Sequence, residues 1–404
     1  MPQRPDRLTL TALAAQCLLT AALAGAAFQS AAAPGTADLI ASTNDAKYQR
    51  VVGKDTFLDN PPADTLDIID ASRFPPRVVA SVNVAAAIQG PPQAVAITPN
   101  GRLAIVSAPS RYDAAEKKLV LENYLQVVDL AASPASVIAK VDIGQHPQAL
   151  AINRTGNLLL ATTTSGNVLV FAIDGQSVTL KDTLKVTDKR LAGLAITPDG
   201  KSALVALRDE QGLMVLDIDG GKVTTQRERV STGVAPYSVD VSSTGKWALV
   251  GNVGLAGLPG NVGTLAGDVD SITLVDISKR PYRAVQHVSV AALPEGIAIS
   301  PDGRWVAVQS MDGSNLTADN PGRRAKGKLT LFANQDGKLV EKSSLPAGEA
   351  GQGVVFTADG QYILAQFNVE KQLAVFAVAN GKLKDTGKRL ASTGGPSSIR
   401  SMPR

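Results

Sequence analysis

The sequence predicts an all-β chain folded as a seven-bladed β-propeller whose closing blade is shared by the N- and C-termini. Three observations predict it. One phrase recurs along the chain, each copy is followed by two further strands, and the two incomplete ends of the chain complete one another.

The phrase is an apolar strand, a tight turn ending in glycine, and a second apolar strand. It occurs six times: PQAVAITPNGRLAIVSA (92–108), PQALAINRTGNLLLATT (147–163), LAGLAITPDGKSALVAL (191–207), PYSVDVSSTGKWALVGN (236–252), PEGIAISPDGRWVAVQS (294–310) and GQGVVFTADGQYILAQF (351–367). The turn glycines are Gly101, Gly156, Gly200, Gly245, Gly303 and Gly360. Asn-Gly and Asp-Gly pairs suit the positive φ of a short hairpin turn.

The strands behind each phrase read as LQVVDL then VIAKVDI (125–130, 137–143), or SITLVDIS then RAVQHVSV (271–278, 283–290). Four short antiparallel strands in about 44 residues is the pattern of a propeller blade. A blade lies between two neighbours, so its strands should be apolar at both phases of the period-two alternation, as LAIVSA, WVAVQS and YILAQF are. The N-terminal stretch supplies ADLIAST (37–43), TLDIIDAS (65–72) and RVVASVNV (77–84), matching a second, third and fourth strand. The C-terminal GPSSIRS (395–401) matches the missing first strand. Together they form a seventh blade and leave no open edge between first and last.

The phrase P-x-x-[VI]-A-I-[ST]-P-[DN]-G followed by V-x-D resembles the YVTN repeat of β-propellers, and the related propeller lactonases of the 6-phosphogluconolactonase-like type. The resemblance spans residues 37–404. It implies the fold firmly. For activity it implies only that such lactonases use acid, basic and histidine side chains at a polar channel mouth, because one scaffold hosts many functions.

Composition agrees with a large β core. Among 404 residues, charged residues are 19% and aromatics 4%, with 36 Gly and 23 Pro, too many turn formers for a mainly helical chain. The formal net charge of +4 is small for this length and carries no basic stripe. Residues 1–33 read as a signal peptide. MPQRPDR carries two arginines, 8–28 are apolar and uncharged, and SAAA at 30–33 suits cleavage near Ala32 or Ala33. The expected organisation is a signal peptide over 1–33 and the propeller over 34–404, in a periplasmic or secreted protein. After cleavage no membrane span is expected. Cys17 is the only cysteine and lies in the apolar run, so the mature chain would have neither disulfide nor thiol site. No metal site and no cofactor are expected. The chain has two histidines and no Walker loop, dinucleotide fingerprint or Gly-x-Ser-x-Gly elbow.

In a propeller the loops between blades, and those between second and third strands, share one face. This chain places its long loops there, at 44–64, 109–123, 253–269 and 311–327. Long loops at one mouth of a ring point to a binding surface. The candidate ligand-binding residues begin or precede the innermost strands (Gln93, His146, Gln148, Tyr237, Glu295, Gln352) or end second strands (Arg208, Asn252, Asn368). His146, Arg208 and Glu295 are also the candidate catalytic groups, provided they converge on one concavity.

Three functions follow as expectations. The first is a non-enzymatic binding or scaffolding module that takes a small molecule or protein at the loop-rich face. The second is a lactone hydrolase. The third is a nucleic-acid binder, disfavoured because Arg111, Lys117, Lys118, Arg323, Arg324, Lys326 and Lys328 share their loops with Asp113, Glu116, Asp312 and Asp319. A monomer is expected.

Overall fold

The structure is a computed structural model that describes residues 38–88, 90–254 and 267–404. The segment expected to be a signal peptide and most of the 253–269 loop therefore lie outside the described residues. Among those described, every regular element is a strand. Twenty-eight strands form seven four-stranded antiparallel sheets, and four more form two hairpins.

Blade one is closed as the two ends of the chain predict. Gly395–Ser401 pairs antiparallel with Leu39–Asp45, which pairs with Asp64–Asp70, which pairs with Arg77–Val84. The register runs from Ile40 opposite Ser401 to Asp45 opposite Gly395. Beyond it, Arg404 forms a 2.6 Å ion pair with Asp38. Blades two to seven follow in chain order, with innermost strands at Val95–Ile97, Pro147–Ile152, Leu194–Ile196, Pro236–Val241, Gly296–Ile299 and Val354–Phe356. Each innermost strand touches the next, and the last touches the closing strand, so the ring is complete.

The core is divided among the blade interfaces. One cluster packs Leu158 and Leu160 of blade three on Leu194 and Val205 of blade four. Another packs Ile105 and Leu125 of blade two on Leu159 and Phe171 of blade three. Second and third strands are buried on both faces, and Leu158–Thr163 is buried at all six positions. Outermost strands alternate instead, as Arg283–Ser289 does, because one of their faces meets water.

The repeated turn has a side-chain reason as well as a glycine. All six turn glycines have φ between 68° and 75°. In ITPDG the Thr197 hydroxyl donates to Asp199 Oδ1 (2.6 Å) and accepts the N–H of Ser202 (3.0 Å). Asp199 in turn accepts the N–H of Lys201 (3.0 Å). The same arrangement recurs at Thr98 with Asn100, Ser300 with Asp302, and Thr357 with Asp359. The polar letters of the phrase thus satisfy the turn's own backbone.

Candidate functional site: an arginine-lined well at the loop-rich mouth

Two hairpins build up the loop-rich face. Tyr48–Val51 pairs with Lys54–Phe57 in the blade-one insertion, and Ser110–Asp113 with Lys118–Leu121 in blade two. Phe57 stacks on Tyr112 with ring centroids 4.4 Å apart and planes 5° from parallel. On its other side the first hairpin reaches the 311–327 loop of blade six. There a Cβ on Gly53 (φ +73°) would stand 2.0 Å from the Leu316 carbonyl oxygen. At the base of this hairpin Lys47 is buried between Asp45 and Asp64 and donates to the Ala86 carbonyl (3.0 Å).

Beneath this collar the starts of the innermost strands bring charged groups together. Glu295, of blade six, lies within electrostatic reach of Arg208, Arg190 and Arg50, and of Asp270. Burial outweighs the three guanidiniums and raises its carboxyl to about 7. Asp270, of blade five, is raised to about 6 for the same reason. Tyr237 also belongs to blade five. Burial first, and then the Glu295 charge, push its phenol above the ordinary tyrosine value, so it remains a donor. The Arg208 guanidinium lies 5.9 Å from the centre of the Tyr237 ring and is tied to Asp209 at 2.7 Å. Arg190 donates to Gln148 Oε1 at 2.8 Å.

His146 is buried, with its Nδ1 2.7 Å from the Glu122 carbonyl. Nδ1 therefore carries the proton, and Nε2 is left as an acceptor. Burial, reinforced by the charge of Arg190, lowers its pKa and keeps the ring neutral.

The backbone prepares these positions. Ala235, Leu293 and Ala350 have φ of 53°, 53° and 50°, each two residues before Tyr237, Glu295 and Gln352. Left-handed non-glycine residues carry strain that surrounding structure must hold, and such strain gathers at functional sites. A second signal is polar. Among the described residues, eleven buried side-chain atoms have no hydrogen-bond partner, and six belong to Arg190, Arg208, Asp270, Glu295 and Gln352. Three are donors and three acceptors. Unsatisfied buried groups cost roughly 1–3 kcal/mol each, so a cluster of them marks a place made to be filled.

Of the sequence candidates, His146, Gln148, Arg208, Tyr237, Glu295 and Gln352 fall in or beside this well. Gln93 sits on the axis, but its amide is already engaged: Nε2 donates to Val239 O (2.8 Å) and Oε1 accepts Val239 N (2.9 Å), closing the ring's centre. Asn252 and Asn368 are fasteners as well. Asn252 donates to Ser271 and Thr273, and Asn368 to the Pro396 carbonyl. Their donors are used within the scaffold. Sequence reading missed Arg190, which lies in a connection just ahead of the third copy of the phrase, and Arg50, which lies in a long insertion. The repeat frame gave neither a position to compare. The basic loop residues are largely paired: Arg111 with Glu122, Lys118 with Glu116, Arg323 with Glu349, Arg324 with Asp312 and Lys326 with Glu370.

The opposite mouth holds a cavity of about 100 Å³ lined by Arg154, Asp240, Arg400 and Arg404. Its charged side chains are already engaged within the scaffold. Asp240 takes Arg400 at 3.3 Å and the Ile299 N–H at 2.9 Å, and Arg154 donates to the Ser243 carbonyl at 2.7 Å.

No protein-family model matches the chain, and no curated protein matches it. Solved structures do. A periplasmic gluconolactonase from Pseudomonas aeruginosa superposes with a TM-score of 0.61 at 16% identity, over 90% of this chain and 99% of that one. A candidate 6-phosphogluconolactonase from Bacteroides fragilis gives 0.65 at 14% identity, over 91% and 98%. Hydrazine synthase from Kuenenia stuttgartiensis gives 0.57 at 18% identity, over 78% and 91%. At these identities the likeness shows the fold, a seven-bladed propeller shared with lactonase-like proteins and with unrelated chemistry.

Proposed function

We propose that this propeller is a lactone hydrolase whose reaction takes place in the arginine-lined well. The observation that carries the reading is Glu295, a carboxyl that burial holds near 7 against the opposing charges of Arg208 and Arg190. A general base works best when its pKa lies near the working pH, and guanidiniums beside it are suited to the charge that grows on a carbonyl oxygen. Water adds to the lactone carbonyl as its proton passes to Glu295. Arg190 and Arg208 take the charge on the carbonyl oxygen. The ring C–O bond then breaks, and Glu295 returns the proton to the departing ring oxygen, releasing a hydroxy acid. Tyr237 and the neutral His146 orient the ligand as donor and acceptor.

The test is hydrolysis of a panel of sugar and aliphatic lactones by the wild type and by Glu295→Gln. Loss of a general base should cost about a hundredfold or more in kcat/KM. Undiminished turnover in the variant would overturn the assignment. The N-terminal segment supports action outside the cytoplasm, which a mature N-terminus between Ala31 and Thr36 in exported protein would establish.

A binding propeller without turnover is the second reading. Gln352 favours it, a neutral side chain fully buried with both amide atoms unpartnered. Absence of hydrolysis across the panel, with saturable binding of a hydroxy acid, would select it.

A further inference from the structure

The turn-rich mouth breaks the repeat in three places, and the three meet. At the fifth position of the phrase five blades carry Ala96, Ala151, Ala195, Ala298 and Val355. Blade five has Asp240 there, and the closing strand, counted from Pro396, has Arg400. At the eighth position, in the turn, three copies have proline (Pro99, Pro198, Pro301), and blade three has Arg154. Small apolar residues and proline serve the strand and the turn, so the fold does not call for charge at either position. Departures of this kind gather at functional sites.

All three residues line the cavity of about 100 Å³ at this end of the axis. Arg400 reaches across the ring from blade one to Asp240 at 3.3 Å, and the Ile299 N–H holds Asp240 at 2.9 Å. Arg154 reaches from blade three to the Ser243 carbonyl of blade five at 2.7 Å. Arg404 completes the charged lining and is paired with Asp38. Charge and donors are left over. The guanidiniums of Arg154, Arg400 and Arg404 face the carboxylates of Asp240 and Asp38, and Arg154, whose acceptor is a neutral carbonyl, is the one in excess. A guanidinium carries five N–H groups. Among the described residues Arg154 engages only its Nη2 and Arg400 only its Nη1. The Gln93 amide, bonded to Leu194 and Val239, closes the axis between this cavity and the well. An apolar cavity of roughly 150 Å³ takes benzene, so this smaller one has room for about four or five non-hydrogen atoms.

We propose that the turn-rich mouth is a second binding site, which takes a small oxyanion of the size of phosphate or acetate on the guanidiniums of Arg154 and Arg400. The guanidinium fork matches the paired oxygens of a carboxylate or phosphate. Asp240 positions Arg400 for this contact. The site stands apart from the well and from the chemistry assigned there.

The experiment is isothermal titration calorimetry of the purified protein with inorganic phosphate and, separately, with acetate, in a low-salt buffer free of other small oxyanions. Wild type is compared with Arg154→Pro, Arg400→Ala, Arg208→Ala in the well, and Arg304→Ala, a turn arginine of blade six outside the cavity. Arg154→Pro installs the residue of three sister turns, so its melting temperature should not fall. If that variant does not fold, Arg154→Ala, which gives up one bond to a carbonyl, takes its place. The expected result is saturable binding of one ion per chain for at least one of the two anions. Arg154→Pro and Arg400→Ala should each weaken it roughly tenfold or more, the size of a lost charge-assisted hydrogen bond. Arg208→Ala and Arg304→Ala should leave it within about twofold. Preference for phosphate would assign the site to a tetrahedral oxyanion, preference for acetate to a carboxylate, and both uphold it. Absence of binding into the millimolar range, or an affinity that holds in Arg154→Pro or Arg400→Ala, overturns the proposal. A loss in Arg208→Ala places the anion in the well, a loss in Arg304→Ala shows a general response to net charge, and either overturns it too.

Discussion

At the scale of single residues, the well is held at some expense to stability. Glu295 and Asp45 both carry carboxyls raised by burial to about 7, from ordinary values near 4.5 and 3.8. A folded-state pKa above the unfolded one means that the folded chain binds more protons in the window between them. Stability contributed by these groups is then greatest below about pH 4 and declines as pH rises toward 7. Glu295→Gln should therefore melt higher than wild type at pH 8 and show little difference at pH 4, measured by calorimetry. That gain, beside lost turnover, would separate a role in chemistry from damage to the fold. An unchanged or lower melting temperature at pH 8 would refute the linkage. The same titration predicts the activity profile: kcat/KM should rise as pH passes through about 7, because Glu295 acts as base only once it has lost its proton.

At the scale of elements, the collar is the part most exposed to single changes. Gly53 combines a φ of +73° with the Leu316 carbonyl oxygen 2.0 Å from where a Cβ would stand. Gly53→Ala must push the hairpin off the 311–327 loop, since neither backbone can give way cheaply. The expected outcome is faster limited proteolysis within residues 44–64 and a higher KM, with a fall in melting temperature of only a few degrees, because the blade interfaces beneath are untouched. Proteolysis at the wild-type rate would show that the contact does not hold the hairpin in solution. The repeated turn behaves differently. Four of the six turns satisfy their own backbone through Thr or Ser with Asp or Asn, and the other two do so through Asn153 and through Ser242 with Thr244, so the motif was legible in sequence as a local unit. The hairpins 48–57 and 110–121 were legible only as long loops, because what orders them is stacking and contact between separate blades.

At the scale of the whole molecule, closure decides stability. The strand Gly395–Ser401 is buried against Leu39–Asp45, and the Arg404–Asp38 pair lies just beyond it. Removing residues 395–404 bares an inner sheet edge and the cluster of Ile40, Ile69, Val355 and Leu364 around Ile399. At about 25 cal/mol per Å² of apolar surface, several kcal/mol are lost, and the melting temperature should fall by roughly five degrees or more. An unchanged melting temperature would mean that the ring does not depend on this strand.

Several features followed from the sequence by itself: the fold class, the count of seven blades and the joining of the two ends. All are consequences of local periodicity repeated along the chain, in which apolar alternation and turn chemistry are visible without knowing what packs on what. It also marked Tyr237, Glu295 and Gln352, because they share one position of the repeat. Tertiary structure alone decided which polar residues meet. Arg190 and Arg50 lie outside the repeat frame, and Gln93, Asn252 and Asn368, which look equivalent to site residues by position, spend their amide donors on other strands of the scaffold. Convergence across a ring depends on loop paths and on which donors the scaffold has already used, and neither is written in the spacing of residues along one chain.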